Sequence, residues 1–229
     1  MARLPRLILP DHPHHIIQRG NDGQLIFREP EDYQRFLVWL RESAREFGVA
    51  VHAYALMPDH LHLLATPSDA TCLAQTMQRV GRFYVPWYNG KYNRAGSLFQ
   101  GRFRTSLIEA QRYFMVCSRY IELNPVRTRM VAEPGEYPWS SYAHHAGIRP
   151  DPVITDHMLY WSLGNTPFQR EAAYKEMVTQ SLSKDELDTV SQALHKGWPL
   201  GSHDFKLGLQ NQLQRQVLPA KRGRPFKQE

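Results

Sequence analysis

The sequence predicts an α+β fold with a ferredoxin-like, split β-α-β antiparallel sheet, and three observations carry that prediction. Val49, Val51 and Ala53 alternate with Ala50, His52 and Tyr54, and a second extended run from His60 to Ala65 follows directly across Pro58-Asp59. This is the signature of two short strands joined by a tight connection. Apolar residues recur at three- and four-residue steps in three other stretches, 31–47, 69–88 and 111–123, which is the helical period. Strand-like and helical stretches succeed one another in the order β-α-β-β-α-β-α. That order builds one antiparallel sheet with helices on one face and leaves the other face free to carry a site.

Residues 14–19 (His-His-Ile-Ile-Gln-Arg) open as a strand, and Gly20-Asn21-Asp22-Gly23 supplies a turn. The first helix, 31–47, places Tyr33, Phe36, Leu37, Leu40, Ala44 and Phe47 on one face. Glu29, Glu31 and Asp32 lie at its start, where the helix dipole favours acids, and Gly48 ends it. The strand pair around Pro58-Asp59 follows. The second helix takes its apolar face from Leu73, Met77, Val80, Tyr84 and Trp87 or Tyr88, and Pro86 predicts a kink or an early end. A short strand at 103–108 and a third helix at 111–123, stopped by Asn124-Pro125, complete the unit.

Residues 1–134 form this domain. Beyond Pro134 the composition turns to Pro, Gly, Trp, Tyr and His, then to short helical patches, so 135–214 reads as an irregular, partly helical extension without continuous packing. Residues 215–229 form a basic tail. Within it Arg222-Gly223-Arg224-Pro225 resembles the core of an AT-hook, in which Arg side chains enter a narrow minor groove.

The 229 residues include 28 Lys and Arg against 22 Asp and Glu, a formal net charge of +6 that favours an anionic partner. Two cysteines, Cys72 and Cys117, form neither a Cys-x-x-Cys metal pair nor a disulfide framework. No apolar run reaches the ~20 residues of a membrane span, and the N-terminal apolar run is too short for a signal peptide. A soluble protein in a reducing, intracellular compartment is expected.

Residues 70–108 hold Arg79, Arg82, Lys91, Arg94, Arg102 and Arg104 with no Asp or Glu, interleaved with Phe83, Tyr84, Trp87, Tyr88, Tyr92, Phe99 and Phe103. Cations that follow phosphates and rings that stack on unpaired bases point to a nucleic-acid surface. Arg79, Arg82, Arg102 and Arg104 are its candidates, together with Lys221, Arg222 and Arg224 of the tail. His60 and His62, two apart on a strand, project from the same sheet face and can grip one ion. Tyr120 and Asn124, four apart, share a helix face. A phenol is a covalent nucleophile once assisted, since its ordinary pKa is about 10. A divalent cation gives that assistance at a phosphate, and two imidazoles with an amide oxygen suit Mg²⁺ or Mn²⁺.

Met57-Pro58-Asp59-His60-Leu61-His62-Leu63-Leu64 resembles the His-hydrophobic-His (HUH) motif of single-tyrosine transposases, and Tyr120-Ile121-Glu122-Leu123-Asn124-Pro125-Val126-Arg127 resembles their nucleophile helix. More closely, the pair is similar to REP-associated tyrosine transposases, as are Gln18-Arg19-Gly20-Asn21, Phe99-Gln100-Gly101-Arg102-Phe103 and Tyr137-Pro138-Trp139-Ser140-Ser141-Tyr142. The resemblance spans roughly residues 5–145. It implies the HUH variant of the fold and a metal-dependent endonuclease and strand transferase. Tyr120 would form a 5′-phosphotyrosine link in single-stranded DNA. His60, His62 and Asn124 would hold Mg²⁺ or Mn²⁺, Asn124 standing where more distant relatives use Gln. The substrate would be hairpins of repetitive palindromic elements, and the protein a monomer or homodimer in the cytoplasm, associated with the nucleoid when DNA-bound. The long segment beyond 145 departs from the shorter members. From the residues alone two other readings stand: a non-catalytic ferredoxin-like nucleic-acid binder, and a zinc hydrolase in which Asp59 or another ligand joins the two histidines.

Overall fold

The computed structural model describes residues 6–213 and 217. Four strands, β1 (His14–Arg19), β2 (Val49–Leu56), β3 (His60–Pro67) and β4 (Arg104–Leu107), form one antiparallel sheet in the order β2-β3-β1-β4. The long helices α1 (Pro30–Glu46) and α2 (Cys72–Lys91) connect them in the split β-α-β manner the sequence predicts. Helix α3 (Ala110–Glu122) follows β4, and a further helical turn, α4 (Asn124–Arg127), follows α3. Beyond it come α5 (Tyr142–His145), α6 (Met158–Trp161), α7 (Pro167–Thr179), α8 (Lys184–Lys196) and α9 (His203–Leu213).

Alternation along the strands divides the molecule into two layers. Ile16, Tyr54, Leu56, Leu61, Leu63 and Ala65 face α1 and α2, and pack with Phe36, Leu40, Leu73, Val80 and Tyr84. Helix α1 starts at a capping box between Glu29 and Asp32 with Pro30 in its first turn. Gly48, at φ +65°, makes the turn into β2, where a Cβ would strike the Ser68 hydroxyl. Helix α2 does not end at Pro86. It runs on to Lys91, because Pro86 and Arg82, whose carbonyl loses its helical partner, are both exposed and water can take the carbonyl.

The second sheet face is not bare, contrary to the expectation from the element order. Ala53, Ala55, Met57 and Leu64 on it are covered by Phe114, Cys117 and Ile121 of α3 and by Val190 and Ala193 of α8. Helix α3 lies over β2 and β3, and α8 over β4 and β1. The extension after Pro134 therefore packs continuously instead of trailing from the domain. Ser106 donates its hydroxyl to the Trp198 carbonyl (2.6 Å), and Leu200 bridges Ile108 beyond the end of β4.

A buried carboxylate fastens the extension to α3. Glu122 is fully buried. It accepts hydrogen bonds from His145 Nδ1 (2.7 Å), from the Tyr174 hydroxyl of α7 (2.6 Å) and from the Ser141 hydroxyl. The sequence offers no hint of this, since its three donors lie 19, 23 and 52 residues away. Glu122→Ala would leave His145 Nδ1 unpaired in the interior and reduce Ser141 to the Tyr54 carbonyl (3.3 Å) and Tyr174 to the Ser118 hydroxyl (2.9 Å). A loss of roughly 3–5 kcal/mol is expected, read in thermal or urea unfolding; a change below about 1 kcal/mol would show that water reaches the network.

Candidate functional site

His60 and His62 leave β3 on the face that α3 covers, and both are buried. In the register of the sheet His60 lies opposite Arg19 and His62 opposite Ile17 of β1. Their rings stand 5.2 Å apart, centroid to centroid, and nearly perpendicular. Burial lowers the pKa of His60, partly countered by Asp59, and lowers that of His62 further, with the neighbouring His15 adding to it. Both imidazoles are thus neutral at pH 7 and keep a lone pair for a ligand.

Each ring is held by a neighbour that orients it. His60 Nδ1 lies 2.6 Å from the Asp59 carboxylate, so that nitrogen carries the proton and Nε2 is left with its lone pair. His62 Nδ1 lies 2.9 Å from His15 Nε2. If His62 donates in this pair, its Nε2 is the free lone pair, and the proton on His15 sits at Nδ1, a buried atom with no partner. His15 is fully enclosed and burial lowers its pKa to about 3, so it too is neutral. His15 was not among the residues the sequence singled out. Only the β1–β3 pairing, across 47 residues, brings it here.

Helices α3 and α4 close the site from above. The Tyr120 ring stands edge-on to His15 (5.6 Å) and to His62 (6.0 Å). Asn124 opens α4 and its amide reaches His60 Nε2 at 3.2 Å. Arg127, one turn on, is a second residue the sequence reading did not single out. Its guanidinium lies over the Tyr120 ring, 4.2 Å from the centroid, and it donates to the Tyr120 carbonyl (2.6 Å) and to Asn124 Oδ1 (3.3 Å). The chain passes from α3 to α4 at Leu123, and seven residues on from Tyr120 the Arg127 side chain reaches back along the same face. The four residues Tyr120, Asn124, His60 and His62 do come together.

The donor set suits a small divalent ion. His60 Nε2 and the Asn124 amide already converge within hydrogen-bond distance on one point, and both histidines are neutral. The amide faces His60 with its nitrogen, and a half-turn of that group presents its oxygen in the same place in exchange for the 3.3 Å bond that Oδ1 accepts from Arg127. Asp59 meets His60 at Nδ1, the ring nitrogen away from the Asn124 amide, and so orients the ring. Among the described residues no cluster of three or more His, Cys, Asp or Glu side chains forms a metal cage. Two imidazoles and an amide are the donors gathered at this place, a set that water and phosphate oxygens can complete around Mg²⁺ or Mn²⁺.

The expected cationic surface is divided. Arg79 pairs with Glu46 and Lys91 with Glu29, Glu31 and Asp32, so two of the six cations of the acid-free stretch are neutralised by acids of α1 and its cap. Tyr84, Tyr88 and Phe103 are core residues. Arg79 and Arg82 belong to α2, on the opposite side of the sheet from Tyr120. Arg102 and Arg104 are exposed at the sheet edge on the Tyr120 side, where they border a cavity with Arg19. Lys221, Arg222 and Arg224 lie outside the described residues. Among the described residues no helix is long and apolar enough to cross a membrane.

Comparison with known proteins places these observations in context. The family model for IS200-like transposases matches residues 9–124, which include both histidines, Tyr120 and Asn124. No curated protein matches the sequence. The fold is similar to that of a REP-associated tyrosine transposase solved bound to a REP hairpin, with a TM-score of 0.52 and 15% identity over 69% of this chain and 92% of that one. A candidate transposase from Deinococcus radiodurans gives a TM-score of 0.37 and 18% identity over 50% of this chain and 92% of that one.

Proposed function

The chain belongs to the family of IS200-like transposases, a class that cleaves and transfers DNA, and from that premise we propose that it cuts and rejoins single-stranded DNA through Tyr120, at hairpins formed by palindromic repeats. The observation that supports this most is the convergence of the Tyr120 ring, the His60/His62 pair, Asn124 and Arg127 at one place between sheet and helix. The hairpin bound to the REP-associated structure gives the substrate class its support.

The residues divide the work as follows. The Tyr120 oxygen attacks a phosphorus of the DNA backbone. A P–O bond to the phenol forms as the bond from phosphorus to the 3′ oxygen breaks, leaving a 5′-phosphotyrosine and a 3′-hydroxyl. The phenol loses its proton to solvent and the departing 3′ oxygen gains one. Rejoining is the reverse attack by another 3′-hydroxyl, and the number of ester bonds is unchanged, so no external energy source is needed. Arg127, over the ring and beside Asn124, stabilises the negative charge of the phenolate. His60, His62 and Asn124 would hold Mg²⁺ or Mn²⁺, which supplies neutralisation of the charge developing on the phosphoryl oxygens. Asp59 and His15 keep the two imidazoles turned toward that position.

Incubation of the protein with a labelled hairpin carrying single-stranded flanks, in Mg²⁺ or Mn²⁺, tests the reading: a denaturation-resistant protein–DNA adduct should form. Failure across hairpins of varied sequence and both ions would leave a DNA-binding module without cutting activity. Arg102→Ala should weaken binding of the flanked hairpin and reduce the slope of log affinity against log salt by about one unit. An unchanged slope would remove Arg102 from the phosphate contacts.

A further inference from the structure

Beside the Tyr120 site, on the same sheet face, lies a cationic cavity of about 350 Å³. Arg19 of β1, Arg104 of β4, Arg102 and Gln100 from the preceding loop and His195 of α8 line it. The three guanidinium groups are exposed, and among the described residues none of them has an acidic partner. Arg104 is fixed by donating to the His195 carbonyl (3.1 Å), which ties the sheet edge to the extension.

The register sets the distance to the chemistry. Arg19 lies opposite His60, and Ile17 separates His62 from Arg104 across three adjacent strands. At about 4.8 Å per strand the cavity begins one strand from the histidine pair and ends two strands away. An anion confined to the cavity would not need this continuity. A polymer of phosphodiesters would, because a backbone phosphate held at His60 and His62 delivers its neighbour to Arg19 and Arg104. The cavity is too small for a base pair with its two backbones, while one unpaired nucleotide fits a space of this order. Gly101, at φ +60°, leaves open space where a side chain would stand, so a sugar-phosphate can approach the loop backbone closely.

We propose that this cavity, closed on one side by the C-terminal extension, holds the single unpaired nucleotide next to the scissile phosphodiester. Arg19, Arg102 and Arg104 take its phosphate, and the His195 ring and the Gln100 amide meet its base. This rests on the DNA-cleaving reading, and it gives α8 a part in the substrate site that the 9–124 family match does not contain.

The test uses full-length protein carrying Tyr120→Phe, so that binding is measured without cutting. Fluorescence anisotropy compares a blunt hairpin with the same hairpin extended by six unpaired thymidines. His195→Ala and Arg104→Ala should each lower affinity for the extended hairpin roughly 10-fold and leave the blunt hairpin within about twofold. Arg104→Lys, which keeps the charge, should lose less than Arg104→Ala, and Arg102→Ala, at an exposed position, guards against misfolding as the cause. Equal loss on both DNAs would overturn the proposal in favour of general electrostatic attraction, and no loss on either would overturn it outright. If the Tyr120 protein formed no adduct with any hairpin while this discrimination persisted, the cleavage reading would fall and the nucleotide cavity would stand.

Discussion

Tyr120→Phe protein, mixed with a flanked hairpin and Mn²⁺, should give no covalent adduct and no cut strand, with turnover lower by on the order of 10⁴-fold or more. The substitution deletes one oxygen. The ring that packs against His15 and His62 remains, and Arg127 still lies over its face. Folding and DNA affinity should therefore change by less than about 1 kcal/mol. This pairing of results is what separates a nucleophile from a half-buried structural tyrosine. A structural role would shift the unfolding transition and spare the cut. A role as general acid or base would lower the rate by about 10²–10⁴-fold and leave no adduct even in the parent protein. Persistence of the adduct in the Phe variant would assign the attack to another residue, and Tyr113, seven positions earlier on α3, would be examined next.

The sequence showed the elements that repeat with a regular period and hid the contacts that cross between them. The β2–β3 hairpin was legible because Pro58-Asp59 interrupts two extended runs, and β1 falls at the residues its composition suggests. Tyr120 and Asn124 were legible as neighbours on a helix face, although the chain breaks at Leu123 and Asn124 belongs to the next turn. His15 and Arg127 were not, since one depends on strand register and the other on the path of a long side chain folded back over the Tyr120 ring. The neutralisation of Arg79 and Lys91 was hidden for the same reason: their acids lie on α1, far away in sequence. Residues 135–213 look irregular because α5 and α6 are four residues each, Gly lies between α6 and α7, and Gly and Pro lie between α8 and α9. Their order comes from tertiary anchors such as Glu122 and Ser106, which leave no local pattern.

His60→Ala and His62→Ala should each weaken Mn²⁺ binding by about 100-fold or more and lower cleavage by roughly 1,000-fold. Removing an imidazole takes away a direct ligand, whereas loss of a residue that only orients a ligand costs about 10–100-fold in affinity, and the charge neutralisation at stake is worth several kcal/mol. The His15–His62 contact makes the argument more specific. If His62 donates its Nδ1 proton to His15, then His15→Ala frees the His62 ring to take the other tautomer, and Mn²⁺ affinity should fall about 10-fold with the fold intact. His15→Gln, whose amide oxygen can accept the same proton, should recover most of that loss. Mn²⁺ binding can be followed by calorimetry or electron paramagnetic resonance without DNA, so these outcomes do not depend on turnover. Equal affinities in the parent and in both ligand variants would show that the ion, if the reaction uses one, is held elsewhere. A loss with His15→Ala that His15→Gln does not restore would mean that His15 acts by packing against Tyr120 and not through the proton it accepts.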